Sequence, residues 1–189
     1  GWKGRAQFVL IKQAATIGDR GIEADNNEAN NDSTPRAQPI LSNLTIIGRA
    51  GDSATQGVLL RRGTGANIWN SVITGSPTCL TIDGAATFAN AGAPGSLTGS
   101  LTIQNSFVNC AANFADGDDA TFTTSDWFLS QSGNVAGDSL LSGYLPAAGS
   151  PLTLGGAAVS DAFFTPVDYS GAFKDANSDW TKEWTFPFN

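Results

Sequence analysis

One phrase is written three times in this chain. It reads Leu41-x-Asn43-x-x-Ile46, then Ile68-x-Asn70-x-x-Ile73, then Ile103-x-Asn105-x-x-Val108. A turn position follows each Asn at the same offset: Gly48, Gly75 and Cys110. The offsets inside the phrase are constant and the distances between copies are not. That pattern specifies a stacked coil of strands whose connecting loops differ in length, each turn burying its apolar face against the next.

A second register interleaves with the first. It comprises Gly21-Ile22-Glu23-Ala24-Asp25, Gly57-Val58-Leu59-Leu60-Arg61, Cys79-Leu80-Thr81-Ile82-Asp83 and Asn113-Phe114-Ala115-Asp116-Gly117. Period-two alternation puts Ile22, Val58, Leu80 and Phe114 in one column, and Ala24, Leu60 and Ile82 in the next inward column. Asp116 breaks that second column, so the regular coil is expected to end there. Phe8-Val9-Leu10-Ile11 reads as a strand of the rung before the first phrase. The expected fold is all-β: a right-handed parallel β-helix of three to four rungs over residues 1–117, with loops at 26–39, 49–56 and 84–99.

A buried turn leaves backbone N–H and C=O groups that need partners, and an Asn amide both donates and accepts. Asn43, Asn70 and Asn105 are therefore read as a structural ladder, bonding one another and the turn backbone. Asn43-Leu44-Thr45 matches a glycosylation pattern, but its Asn belongs to the ladder.

Residues 118–189 read as a C-terminal cover for the open end of the coil, because solenoids need their last strands shielded. Thr123-Thr124-Ser125-Asp126 before Trp127-Phe128-Leu129 predicts a capped short helix within it. The tail from Asp179 to Phe188 is dense in aromatics. Trp180, Trp184 and Phe188 either complete the cover or form an exposed docking patch. No comparable cover precedes Phe8. The start at Gly1-Trp2-Lys3 is read as that of a processed product or fragment, with more rungs, or another chain, expected upstream.

Composition narrows function by exclusion. The net charge of −7 removes a basic footprint for nucleic acid and disfavours anionic membranes. No apolar run approaches the length of a membrane span. There is no His, which excludes Ser-His and Cys-His nucleophilic sites and His-based zinc sites. Only 14% of residues are charged, so the surface is rich in neutral polar side chains, as suits an extracellular β protein.

Cys110 stands where Gly48 and Gly75 stood, and Cys79 opens the strand one rung earlier. Adjacent rungs bring such positions within bridging distance, so a Cys79–Cys110 disulfide is expected. It implies an oxidising compartment, extracellular or at the outer cell surface.

The best candidate for chemistry is the charged column of Asp25, Arg61 and Asp83, with Glu23 nearby. A ladder of cross-strand ion pairs is the simpler reading of the same residues. The loop carrying Asp25, Asn27 and Asp32 has calcium-friendly oxygens but no EF-hand spacing. The Gly-rich pieces at 62–65 and 154–156 lack the residues of a phosphate loop. Trp69, Trp180 and Trp184 are candidate glycan contacts.

The I-x-N-x-x-I phrase ending in Gly resembles the right-handed parallel β-helix superfamily that includes pectate lyases and many surface proteins. The resemblance covers roughly residues 8–117. It implies the fold; for activity it implies a polysaccharide lyase set in which carboxylates hold calcium and Arg takes the proton, carried here by Asp25, Asp83 and Arg61. The segment 21–35, the rungs and the Asp-Trp-Thr…Trp-Thr tail are also similar to secreted or outer-surface bacterial proteins without an established activity. The first functional expectation is a non-enzymatic structural or adhesive module that assembles with other copies or further rungs and needs no cofactor. The alternatives are a lyase or glycoside hydrolase on an acidic glycan, and a glycan-binding module.

Overall fold

The computed structural model describes residues 1–51, 53–97, 99–183 and 185. In chain order its strands begin with β1 (Arg5–Lys12), β2 (Arg20–Asp25), β3 (Ile40–Ile47) and β4 (Gln56–Arg61). They continue with β5 (Ala66–Trp69), β6 (Val72–Thr74), β7 (Thr78–Ile82), β8 (Leu101–Gln104), β9 (Phe107–Asn109), β10 (Ala112–Asp116) and β11 (Val135–Ala136). A small antiparallel hairpin, β12 (Leu141–Ser142) and β13 (Leu145–Pro146), follows.

Strands β1 to β11 form two parallel sheets between which the chain alternates, the arrangement of a parallel β-helix. One sheet stacks β2, β4, β7 and β10; the other stacks β1, β3, the pair β5 and β6, the pair β8 and β9, and then β11. The registers match the sequence columns. Ile22 lies opposite Val58, Val58 opposite Leu80, and Leu80 opposite Phe114. Ala24, Leu60, Ile82 and Asp116 form the neighbouring column. In the other sheet Ala6, Leu41, Ile68 and Ile103 align, as do Ile11, Ile46, Ile73 and Val108. From the second layer onward these inward residues are almost wholly buried and form the core, except Phe114, which is partly buried, and Asp116, which is exposed.

The Asn of each phrase bends its strand. Asn43, Asn70 and Asn105 have φ of 57°, 50° and 50°. Phe8 precedes them in the stack at 57°, and Gly133 follows at 71°. Every layer of this sheet thus turns at a left-handed residue, and the stacked bends divide the sheet into two faces. An L-residue pays about 1–2 kcal/mol for that conformation, and Asn tolerates it better than most. Phe8 is the costly member; its ring stacks on Tyr169 with centroids 6.3 Å apart.

The bonding of the column differs from the expected Asn–Asn ladder. The backbone just past each bend is satisfied by the layer beyond it. Leu44 N–H donates to Ser71 Oγ (3.3 Å), Ser71 N–H to Ser106 Oγ (3.0 Å), and Ser106 N–H to Asn134 Oδ1 (3.0 Å). The ladder of side-chain acceptors is therefore Ser71, Ser106 and Asn134. The amides of Asn43 and Asn70 touch the preceding layer, Asn43 accepting from Gln7 Nε2 and Asn70 donating to Ser42 Oγ (both 3.2 Å), and also reach outside the stack. Asn70 donates to Ala157 O (2.8 Å) and accepts from Ala157 N–H (2.9 Å). Asn43 donates to Tyr169 O at 2.9 Å.

Those partners belong to a strap that takes a different course from the one the sequence suggested. After a 3-10 turn at Pro151–Leu154, residues 156–172 pass across the bends, not over the end of the coil. The strap runs down to the first layer, where Arg5 pairs with Asp161 at 2.6 Å and Gln7 exchanges two bonds with the Thr165 backbone. It then returns, with Gly171 N–H on Asn70 O at 2.7 Å and Ala172 N–H on Thr45 Oγ1 at 2.9 Å. Its two legs meet through Gly156 N–H and Asp168 O.

Two helices fill the corner where the chain passes from the sheet of β2, β4, β7 and β10 to the other sheet. The predicted helix is present as α2 (Thr124–Leu129), with Thr123 accepting from Asp126 N–H. Its Trp127 and Phe128 are fully buried. Asp116, the residue that breaks the column, accepts from Thr124 N–H at 2.6 Å. The other helix, α1 (Ala85–Ala91), lies in a segment that reads as loop, and buries Phe88 and Ala91.

Asn70 carries two separable loads, the left-handed bend and the strap. Asn70→Gly keeps the bend and loses the two Ala157 bonds, at a cost of roughly 1–2 kcal/mol. Asn70→Ala loses both and costs roughly 2–4 kcal/mol. Denaturant unfolding of the two variants checks the order; an alanine variant as stable as the glycine one would remove the bend from the explanation.

Candidate functional site

The charged column sits at the end of the sheet of β2, β4, β7 and β10. Parallel pairing sets Asp25 opposite Arg61, and Asp83 follows Ile82 where Leu60 precedes Arg61. Arg61 Nε donates to Asp25 Oδ1 at 2.9 Å, and its other arm pairs with Glu23. Asp25 accepts a second guanidinium: Arg62 Nη1 lies 2.6 Å from Oδ2, while Arg62 Nη2 donates to Glu28 at 2.7 Å. Arg62 has φ 53°, so the chain doubles back as the strand ends and both guanidinium groups reach one carboxylate. From the sequence, Glu28 reads only as part of the calcium-friendly loop and Arg62 only as part of a Gly-rich piece; the Arg-Arg pair after a strand is the signal that points to their role.

Asp83 stands apart from this knot. Its Oδ1 accepts from Asp118 N–H at 2.8 Å, and a side chain at Gly117 would collide with it. Burial works against charge on Arg61, but the Asp25 hydrogen bond and the charges of Asp25, Glu23 and Asp83 together raise its pKa above the ordinary arginine value. An arginine shifted upward is a poorer proton acceptor, the reverse of what base catalysis by Arg61 needs. The structure thus brings Asp25, Glu23 and Arg61 together as an ion-pair network and ties Asp83 to the backbone.

The calcium-friendly oxygens have separate partners. Asn27 Oδ1 accepts from Ala29 and Asn30 N–H, closing a turn. Asp32 pairs with Arg36 at 2.8 Å, and Asp25 with the two arginines. Among the described residues no group of three or more acidic or thiol side chains is placed to hold a metal ion.

Cys79 and Cys110 are joined as a disulfide with a Cα separation of 5.5 Å, closing a loop of 31 residues. Such a closure contributes about 3–4 kcal/mol in the chain-entropy account. Cys79 occupies the third layer of a column begun by Gly21 and Gly57. A Cβ at Gly57 would lie 2.4 Å from Ile73 Cγ2 and 2.7 Å from Cys79 O, so the close approach there requires glycine.

The tryptophans do not act as one group. Trp69 lies on the outward face of β5, between Ser42 and Gln104 in register, beside a hydrogen-bonded Asn67–Thr102 pair. Trp180 stacks on Phe173 with centroids 5.3 Å apart and donates to Ala172 O at 2.8 Å, holding the end of the strap. Trp184 and Phe188 lie outside the described residues. No helix among the described residues is long and apolar enough to cross a membrane.

The ion-pair network is partly solvent-exposed, and its arginines are long, so its contribution is small and salt-sensitive. Asp25→Ala is expected to cost roughly 1 kcal/mol at low salt and less at high salt. Urea unfolding at two ionic strengths measures it; a loss that does not change with salt would assign Asp25 a packing role instead.

A family model described as a pectate-lyase-like beta helix domain matches residues 1–185. No curated protein and no solved structure matches the chain.

Proposed function

The chain belongs to the pectate-lyase-like β-helix family, and from that premise we propose that it is a non-enzymatic structural module of the cell exterior that assembles through the first layer of its coil. The carrying observation is the pairing of that layer: β1 bonds only β3 and β2 bonds only β4 among the described residues, so both strands have a free edge on the same side. The core is open there as well, with Ala6, Val9, Ile22 and Ala24 only partly buried. A strand edge above an incomplete core is a template for another layer, from a further rung or a second chain. The far side supports the same reading: α2 lays Trp127 and Phe128 against the last layers, in keeping with a terminal cover. The disulfide favours an oxidising compartment and therefore an extracellular or outer-surface location. Membership of the family speaks for shape; chemistry is decided by the site.

The test is sedimentation across a wide concentration range, with hydrogen exchange read strand by strand. Self-association with slowed exchange confined to β1 and β2 is expected. A chain that stays monomeric throughout, with exchange in β1 and β2 unchanged by concentration, would sink the reading.

The polysaccharide lyase reading is weakened by the ion pairs on Asp25 and Arg61. Incubation with acidic polysaccharides and calcium is expected to give no unsaturated-sugar absorbance. Absorbance that appears and is then lost in Arg61→Ala would reverse this. A glycan-binding role has one supporting observation, the outward Trp69 with amide and hydroxyl neighbours; retention of the protein on a glycan affinity gel, lost in Trp69→Ala, would favour it.

A further inference from the structure

We infer that the first layers of the coil contain a binding cavity for a small uncharged aromatic ring, seated beneath Trp2. A cavity of about 240 Å³ lies between the sheets at this end, with Trp2, Ala24, Leu41, Leu60, Ala66 and Ile68 in its wall. An apolar cavity of roughly 150 Å³ is enough to hold benzene.

The sequence columns explain why space is left. Ala24 occupies the first layer of the column that continues as Leu60 and Ile82. Ala6 occupies the first layer of the column that continues as Leu41, Ile68 and Ile103. Two alanines face inward where later layers carry Leu or Ile, and Ala24 is the one that lines the cavity, leaving space beside Leu60. Ala66 removes more, since its partner in the next layer is Leu101.

The same corner shows which groups fit it. Along the axis, Trp2 O accepts from Gln38 N–H (2.9 Å) and Ala37 O from Gly65 N–H (2.7 Å). Thr64 O then accepts from Asn90, and Ala91 O from Trp127 Nε1 at 3.3 Å. In the later layers this corner is packed with rings: Phe88 against Phe122 edge-to-face at 5.1 Å, then Trp127 and Phe128. The first layers have no such ring inside, and Trp2 closes the corner from the outside, 58% exposed. The polar groups of the wall are committed: Asp25 and Glu23 to arginines, and the Thr64 hydroxyl to Gly65 O at 3.0 Å. An apolar wall with occupied polar groups suits a ring without charge.

The cavity opens on the same first layer as the proposed assembly face, and the test keeps the two apart. Toluene is titrated into dilute wild-type protein while methyl NMR signals are followed. Expected are shifts confined to Ala24, Leu41, Leu60, Ala66 and Ile68, with a dissociation constant on the order of 0.1–1 mM. Trp2→Ala weakens binding roughly 2- to 10-fold by removing a ring contact. Ala24→Leu continues the leucine column, raises the melting temperature and abolishes the shifts; Ala66→Val serves as a second filled variant. Unmoved lining methyls in the wild type overturn the inference, as does unaltered binding in both filled variants. Shifts that follow protein concentration instead of toluene also overturn it and assign the space to a second copy.

Discussion

The left-handed bend at Phe8, Asn43, Asn70, Asn105 and Gly133 is the constraint on which the rest of the coil depends. A parallel stack can turn a corner only if every layer turns at the same register position, because inter-strand hydrogen bonds tie each backbone to the next. Once one layer bends there, its neighbours must do the same. The residue at the bend must then accept a positive φ, and Asn is the side chain that does so while still offering an amide. The N–H that leaves the bend points along the axis, which is why Ser71, Ser106 and Asn134 supply acceptors from the following layer.

The bends also decide what the C-terminal residues do. The amides of Asn43 and Asn70 reach the strap, which answers them with backbone groups of Tyr169 and Ala157. Buried polar groups need partners, and here the partners come from residues about ninety to one hundred and thirty positions away in the chain. The same logic governs the charged column. Asp25 lies between two arginines, which Glu23 and Glu28 pair in turn. These charged groups join neighbouring layers, whereas among the described residues the outer edges of β1 and β2 pair with no strand.

Much of this was legible from residue order. Period-two alternation placed Ile22, Val58, Leu80 and Phe114 in one column because inward positions of stacked strands must all be apolar. Asp116 marked the end of its column because a carboxylate there needs a donor, which Thr124 supplies. Cys79 and Cys110 were legible because adjacent layers bring a strand start and the preceding turn together. The helix α1 was not, since Gly84 and Gly92 bracket a short alanine-rich stretch that reads as loop. Its helical state follows from burying Phe88 and Ala91 under the layer above. Arg62 was hidden because its role depends on a backbone reversal that its residue type does not announce.

Residue order alone was enough for the stacked fold, the registers and the cysteine pair. Each of these follows from a local periodicity or a fixed offset that any turn of the coil must repeat. The tertiary structure alone decided which groups the Asn amides bond, which carboxylates the arginines hold, where the strap runs and where space remains. Those outcomes depend on pairs of residues far apart in the chain and on volumes summed across several layers. Neither quantity is carried by any one segment, so neither can be read until the layers are stacked.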